Sequence, residues 1–469
     1  MTTGRWKRHR PAVLLLLAYV ALVAPSLGQS LLESHAFRQT QTAYTALLFA
    51  RDGIDLLRPP LPVLGPPGTV PLEFPLFQAI GSVVIAAGVA PDSAMRITGL
   101  FAFLASAVLL YLIALRVLGR NGSLITLAAF LLNPHAILYG RSSLIEYLAV
   151  AAGLLFVLFA VRWMDGGRLG NWAVALVGGA GVLLVKVTTG PIFLAPALAW
   201  RSPSGRWGFQ RPGLWVMLVV ATAMGLVWSR HADSVRLESP ATAFLAAQNS
   251  FEWFFGTVAQ RLDPGAWRVP VVALLSLTGS GLVVWAVLGV KRVNMHPQRA
   301  FLLSAFAAIV VPILVLFNLY AVHDYYYAAV APFVALLVGA GSERLLSMSR
   351  TRLRGRLVVG LAGAWAATFI GMAGSWTLIY GTPEEEARLM ASARYIHDNS
   401  EPDDWIVIEG LGWNSAFLYY ADRRGFADPT GDNLLQPGDV DVDAILSDPV
   451  YGPFFTCDSQ ARCTVREAR

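Results

Sequence analysis

Cysteine is nearly absent from this chain: two residues in 469, Cys457 and Cys463, both in the last polar stretch. So few thiols argue against a zinc site, and if that stretch is exported the two are a candidate disulfide closing a small loop. Charge is also scarce. Only 14% of residues are Asp, Glu, Lys or Arg, against 55% hydrophobic, and the mean hydropathy is +0.55. Such a balance excludes an ordinary soluble globular protein. No Walker or dinucleotide-binding loop is present, and neither is a solenoid-type repeat or a low-complexity tract.

What charge there is leans basic, with a net +6. Nucleic acid is not the implied partner, because the Lys and Arg residues fall in short clusters between apolar runs rather than on one arm or face. Positive-inside topology explains them better. The clusters lie at residues 5–10, at Arg116 and Arg120, at Arg162 and Arg168, at Arg201 to Arg211, at Lys291 to Arg299 and at Arg344 to Arg356. Placing them all in the cytoplasm predicts about eleven α-helical spans, near 11–28, 95–117, 121–139, 147–163, 171–186, 188–200, 213–230, 269–290, 300–318, 327–345 and 357–379. The N-terminus is then inside the cell membrane and the C-terminus outside. The first span reads as a signal anchor rather than a cleaved signal peptide.

This scheme leaves residues 29–94 as one large external loop. Phe74 to Val89 within it is apolar, but short and without basic flanks, so it is expected to lie at the interface rather than cross. Beyond residue 379 the composition turns polar. A helix from Glu384 to His397, a strand at Trp405 to Glu409 and frequent Pro and Asp predict a small external α/β domain over 380–469, following a transmembrane domain over 1–379.

Polar residues concentrate in the external loop, in Glu33-Ser34-His35-Ala36-Phe37-Arg38-Gln39-Thr40-Gln41-Thr42. Ser34 is a candidate N-cap of a helix running to about Ala50, with Asp52-Gly53 as its stop signal. Glu33 would then sit before a helix N-terminus, where the dipole favours a carboxylate able to act as a base. A capping or solvated loop carboxylate is the competing reading. A stiff Pro/Gly segment leads on to Glu73-Phe74-Pro75, with Pro75 suited to a first helical turn and Glu73 at its mouth. Ionisable residues at membrane depth are costly and mark candidate sites. Arg141, Glu146, Lys186, His323 and Asp324, the last two in His323-Asp324-Tyr325-Tyr326-Tyr327, would all project to the side of Glu33. Each has a plainer alternative: an Arg141–Glu146 pair that neutralises itself, a snorkelling Lys186, and an interfacial tyrosine belt.

Taken together, the order and sidedness of these segments resemble the GT-C superfamily of polytopic glycosyltransferases, which holds protein mannosyltransferases (family 39) and lipid A aminoarabinose transferases. The likeness is carried by the acid after the first span, by Glu73-Phe74-Pro75 and by Ala94-Met95-Arg96 opening the second span. Further carriers are the Arg141 to Glu146 segment, Lys186-Val187-Thr188-Thr189, His323-Asp324-Tyr325-Tyr326, and a tail with Leu418-Tyr419-Tyr420-Ala421-Asp422-Arg423-Arg424. A departure is the single acid at 33, where many members carry an Asp-Glu or Asp-x-Asp pair. This weakens the case for a clamped divalent metal, and no cofactor is expected.

The resemblance implies that Glu33 is a general base for an acceptor hydroxyl attacking the anomeric carbon, with inversion. It implies a polyprenyl-phosphate-linked sugar as donor, and a glycolipid, cell-envelope glycan or protein as acceptor. Arg38, Lys186, His323 and Arg141 would bind the donor phosphate. Glu73, Glu146, Asp324, His35 and Tyr325 would hold sugar or acceptor, or orient the cations. Membrane logic independently favours a lipid-carried donor, since nucleotide sugars are cytoplasmic and the loop is external. A secondary transporter or a non-catalytic membrane scaffold are the rival classes; the inverted repeats common in transporters are not found.

Overall fold

A computed structural model describes residues 3–65, 68–247, 251–278 and 298–347, most of 384–428, the strands at 454–457 and 463–466, and a few residues between 355 and 367. The expected span near 357–379 and the second half of the one near 269–290 fall largely outside the described residues.

The chain is a bundle of apolar helices. In order these are α1 (Thr3–Val23), α2 (Ala36–Asp52), α3 (Leu76–Ala86), α4 (Pro91–Val117), α5 (Arg120–Leu131), α6 (Pro134–Tyr139), α7 (Glu146–Gly166), α8 (Leu169–Val185), α9 (Gly190–Leu198) and α10 (Pro212–Arg236). Three short helices follow, α11 (Pro240–Ala243), α12 (Phe251–Phe255) and α13 (Val258–Leu262), then α14 (Arg268–Thr278), α15 (Arg299–Val315), α16 (Phe317–Val322) and α17 (Ala331–Ser347). Stretches His9–Ser26, Pro91–Val117, Glu146–Gly166 and Pro212–Arg236 are long and apolar enough to cross a bilayer unaided. Their outward faces are greasy: Phe101 on α4 is 68% exposed and Val227 on α10 is 70% exposed. Side chains of that kind need lipid as their solvent, and the chain is a membrane protein.

Several expected spans have a different shape. The stretch 121–139 breaks at Asn133-Pro134, where the Asn133 side chain accepts the Ala136 N–H at 2.8 Å and Pro134 opens α6. Proline has no N–H to continue α5, and the asparagine caps what the break exposes. The stretch 188–200 yields only the nine-residue α9, about 13 Å long. The stretch 327–345 starts as a 3-10 turn over Asp324–Ala329 before α17. Helix α3 has eleven residues, about 16 Å, half of what a bilayer requires. The apolar part of the first loop is therefore too short to cross.

The polar tail folds into α18 (Glu384–Asn399), β1 (Trp405–Glu409), α19 (Ala416–Ala421), β2 (Arg424–Asp428), β3 (Phe454–Cys457) and β4 (Cys463–Arg466). The sheet order is β2-β1-β3-β4. Strands β2 and β3 lie parallel to β1, and β4 runs antiparallel to β3 with Cys457 and Cys463 in register. This unit is fastened to the first loop and the start of α4. Tyr44 Oη donates to the Arg423 carbonyl at 2.8 Å, the Leu31 N–H donates to Tyr420 Oη at 2.7 Å, and Tyr419 Oη donates to Asp92 at 2.7 Å. Phe37 meets the edge of Trp413 at 5.2 Å between centroids.

One close approach positions the site. Gly99 on α4 faces the turn that carries Arg141 and Ser142, and a Cβ there would overlap the Ser142 carbonyl. Gly99→Ala should therefore push that turn away at a cost of about 1–3 kcal/mol. The thermal midpoint of purified protein in detergent should fall by several degrees, whereas Gly166→Ala, with nothing near its Cβ position, should leave it unchanged.

Candidate functional site

Helix α2 organises one end of the bundle. Its start differs from the cap read in the sequence: His35, not Ser34, is the N-cap, in a left-handed conformation with φ 58° and no side-chain cap bond. Ser34 Oγ instead lies 3.3 Å from Tyr139 Oη. The stop at Gly53 is as expected, with φ 99° and its N–H on the Phe49 carbonyl at 3.1 Å.

The left-handed turn at His35 swings Glu33 inward, away from the helix mouth. Arg141 grips both its oxygens, Nη2 to Oε2 at 2.6 Å and Nη1 to Oε1 at 3.2 Å. Arg96 Nη1 reaches Oε1 at 2.8 Å, and Gln39 Nε2 reaches the same oxygen at 3.3 Å. Both guanidinium side chains are 0% exposed and the Glu33 side chain 3%. Burial raises the Glu33 carboxyl above its ordinary range, while Arg141 and Gln39 pull the other way. Arg96 ties the loop further, donating from Nε to the Gln29 carbonyl at 3.1 Å and from Nη2 to that of Ser30. Gln39 Oε1 accepts the Ser143 N–H at 3.0 Å.

Two more ion pairs stand beside this clamp. Arg38 pairs with Glu73, and Lys186 with Glu146. Arg38 feels the charges of Glu73 and Glu146, and Lys186 those of Glu146 and Glu73, so the couples form one electrostatic unit. Although burial opposes its charge, Glu73 and its neighbours raise the Arg38 pKa still higher. Lys186 Nζ also sits 3.9 Å above the Tyr326 ring and 5.3 Å from that of Tyr325, a cation–π seat. Its partner keeps capacity in reserve, since Glu146 Oε2 is buried without a hydrogen bond. The Arg141–Glu146 pair read as self-neutralising is not formed, and Lys186 does not snorkel.

A third group closes the site. His35 Nε2 and Tyr139 Oη both lie 2.7 Å from Asp324 Oδ1, and His135 Nε2 lies 3.1 Å from the Asp324 carbonyl. The Asp324 carboxyl is held below its usual range: burial would raise it, but His35 and Tyr139 outweigh that. His323 stacks on Tyr325 at 5.0 Å, and its buried Nδ1 has no hydrogen-bond partner. Glu33, Arg38, Glu73, Arg141, Glu146, Lys186, His35, His323, Asp324 and Tyr325 are thus all brought to one end of the bundle. The side chains of Cys457 and Cys463 lie outside the described residues.

Comparison with family models and with curated proteins finds no match to the sequence. Solved structures do match the fold. The aminoarabinose transferase ArnT from Cupriavidus metallidurans, bound to undecaprenyl phosphate, superposes with a TM-score of 0.67 over 98% of this chain and 94% of its own, at 14% identity. Its apo form gives 0.64 over 96% and 92%, also at 14%. The oligosaccharyltransferase AglB from Archaeoglobus fulgidus, with an inhibitory peptide and dolichol-phosphate, gives 0.55 over 92% of this chain and 65% of its own, at 14%. This chain has the GT-C fold.

Within that GT-C framework, some site members carried no assigned role in the sequence reading. Arg96 is the chief of them, and its signal was a charge within the first two turns of a long apolar helix. Gln39, His135, Tyr139 and Tyr326 also belong, but neutral polar residues in an apolar chain give no comparable signal.

Two outcomes follow. Glu33→Gln leaves two dry guanidinium groups without a counter-charge, a loss of about 3–5 kcal/mol. Urea unfolding in detergent should show it, while Glu238→Gln, removing half of the exposed Arg58 pair, should be near neutral. The second concerns pH. Burial lowers His323 to about 4, with His35, Lys186 and Arg38 adding repulsion. Below pH 6.5 the unfolded chain takes up a proton that the folded chain resists, so this residue's contribution to stability is present above 6.5 and lost between 6.5 and about 4. Wild type should lose thermal stability across that window relative to His323→Phe, and parallel curves would refute the assignment.

Proposed function

We propose that this GT-C protein is an inverting glycosyltransferase that moves a sugar from a polyprenyl-phosphate carrier to a hydroxyl acceptor at the external membrane face. The observation that carries this reading is the coupled pair Arg38–Glu73 and Lys186–Glu146, set in a fold shared with ArnT bound to undecaprenyl phosphate. A lipid phosphate arriving between the two cations would take them over from the glutamates, since guanidinium and ammonium groups both bind phosphate strongly. The phosphate's growing charge as a leaving group is met by the same cations, so the reading calls for no metal.

That exchange also supplies the base. Glu73, released from Arg38, would be free to meet an acceptor hydroxyl, and its side chain is 25% exposed where that of Glu33 is 3%. Glu73 is therefore favoured over Glu33 as the group that removes the acceptor proton. The acceptor oxygen forms a bond to the anomeric carbon, the bond from that carbon to the phosphate oxygen breaks, and its electron pair leaves with the polyprenyl phosphate. Glu33 serves by holding Arg96 and Arg141. Asp324 and His35, with Tyr325, border the sugar, and His323 and Arg141 stand behind the phosphate cations.

Labelled polyprenyl-phosphate sugars incubated with purified protein and a panel of glycan, lipid and peptide acceptors test this. Glu73→Gln should lose at least about a hundredfold in transfer while still binding donor, and Arg38→Ala should weaken donor binding itself. Full transfer by Glu73→Gln, alongside a stable but inactive Glu33→Gln, would return the base to Glu33. No sugar transfer by wild type across the panel, together with no binding of undecaprenyl phosphate, would sink the whole reading.

A further inference from the structure

The connector between α10 and α14, expected from the sequence to be an external loop, carries the short helices α12 and α13. Helix α13 is inverted relative to a helix at a water-facing surface. Its polar side chains turn inward. Gln260 Nε2 donates to Asn318 Oδ1 on α16 at 2.7 Å, and Arg261 donates to the carbonyls of Phe255, Leu314 and Val315 while lying over the Phe317 ring. Its apolar side chains turn outward, Val258 being 73% and Leu262 77% exposed. Phe251 and Trp253 on α12 are exposed in the same way. A helix packed on a soluble domain does the reverse, with its apolar stripe against the core. In water, four large apolar side chains exposed so close together would form a patch that the solvent penalises.

The height of this segment along the bundle decides which solvent meets it. Helix α15 has 17 residues, about 25 Å of rise. It starts at Arg299, in a basic cluster that the positive-inside rule places in the cytoplasm, so its end at Val315 falls short of the far edge of a hydrocarbon layer about 30 Å thick. Arg261 is bonded to the carbonyls of that end, which sets α13 at the hydrocarbon boundary rather than above it. The outward side chains Val311, Leu314 and Val315 of α15 are exposed as well, so the lipid-facing surface of the bundle runs up to α13 without a polar break. Backbone at that depth has to be satisfied within the protein. Arg261 meets the carbonyls left over where α15 ends, Asn318 Nδ2 meets that of Trp253 at 2.8 Å, and Trp267 Nε1 meets that of Arg261 at 2.9 Å.

We propose that residues 251–267 form an interfacial foot, with Phe251, Trp253, Val258 and Leu262 seated among the upper acyl carbons of the leaflet on the site's side. The occupant of this face is bilayer lipid rather than protein. Glu252 and Asp263, both exposed, take the headgroup level, and an amphipathic segment of this kind lies along the membrane surface without crossing it. The foot reaches the candidate site. The Trp253 ring meets His323 edge-on at 5.7 Å between centroids, and Asn318, which holds the Trp253 carbonyl, lies on the helix that leads into His323. This seat stands independently of the glycosyl-transfer reading.

Photolabelling of the full chain in phosphatidylcholine nanodiscs tests it, the discs being doped with phosphatidylcholine that carries a diazirine in its acyl chain. Peptide mass spectrometry locates the adducts, and light scattering counts the chains per disc. Val258 and Leu262 should be labelled about as often as Leu314 on α15, and roughly tenfold more often than the exposed turn at 203–205. Gln260 and Arg261, on the inward face, should stay unlabelled. Labelling of Leu314 with none over 251–262, in discs that hold one chain, would place the segment in water. The same pattern in discs that hold two chains would give this face to a second copy. Either result overturns the inference, and so would adducts on Gln260 and Arg261 in place of Val258 and Leu262.

Discussion

One carboxylate shared by two dry arginines sets the geometry of this end of the molecule. Glu33 comes from the first loop, Arg96 from α4 and Arg141 from the turn before α7, and none of the three has meaningful solvent access. An isolated guanidinium at that depth would cost several kcal/mol. Having two of them face a single carboxylate draws the three segments together, because each guanidinium finds its counter-charge there. The local surplus of one positive charge is offset in part by neutral dipoles, the Gln29 and Ser30 carbonyls on Arg96. Gln39 passes the constraint onward, bonded to Glu33, to the Ser34 carbonyl and to Ser143. Helix α2 is thereby locked, and with it the position of Arg38 and Gln41 one and two residues either side of it.

The remaining ion pairs are built differently, and the difference tracks what each can do. Each partner of the Glu33 clamp is enclosed and multiply bonded, which suits structure. The Arg38–Glu73 couple is partly open, with side chains 18% and 25% exposed. Lys186 is enclosed, but its glutamate has an oxygen to spare and its ammonium rests on a tyrosine face. Cations already desolvated and paired are primed to change partner when a better anion arrives, because the cost of stripping their water was met on folding. On the proposed reading, a lipid phosphate is such an anion. Unpaired cations at that place would be unstable, whereas unbreakable pairs would exclude any other anion.

Much of this was legible in the sequence, and the failures are specific. Asp52-Gly53 ended its helix as read, and the apolar stretch from Phe74 proved too short to cross, since length and a glycine that tolerates positive φ are local properties. The helix before Trp405 and the strand there were likewise local. Gathering of the charged residues at one end followed from counting basic clusters between apolar runs. Partner choice was not legible. Arg141 has Glu146 five residues away, yet it binds Glu33, 108 residues distant; residues at 141 and 146 face different ways once α7 begins at Glu146. Ser34 offered a better cap than His35 by residue type, but the inward turn of Glu33 requires the chain to bend at 35, and tertiary charge pairing outweighs a cap worth about 1 kcal/mol. Helix bounds differ from the expected spans for a local reason that was in plain view, the proline at 134 that ends one helix and opens the next.

The attachment of the polar tail bears on the same site. Tyr419 and Tyr420 both meet Asp92 at the start of α4, one turn before Arg96, and Tyr420 also receives the Leu31 N–H two residues before Glu33. The tail therefore grips the segments on both sides of the Glu33 clamp rather than an indifferent surface. Ser415 reaches Thr40 in the middle of the Arg38 to Gln41 run. Any displacement of the tail would have to break bonds to the helix that aims Arg38, so its position and the geometry of the Arg38–Glu73 pair are coupled through direct contacts. The strength of the tail's hold on Asp92 and Leu31 sets how firmly the first loop is kept in place.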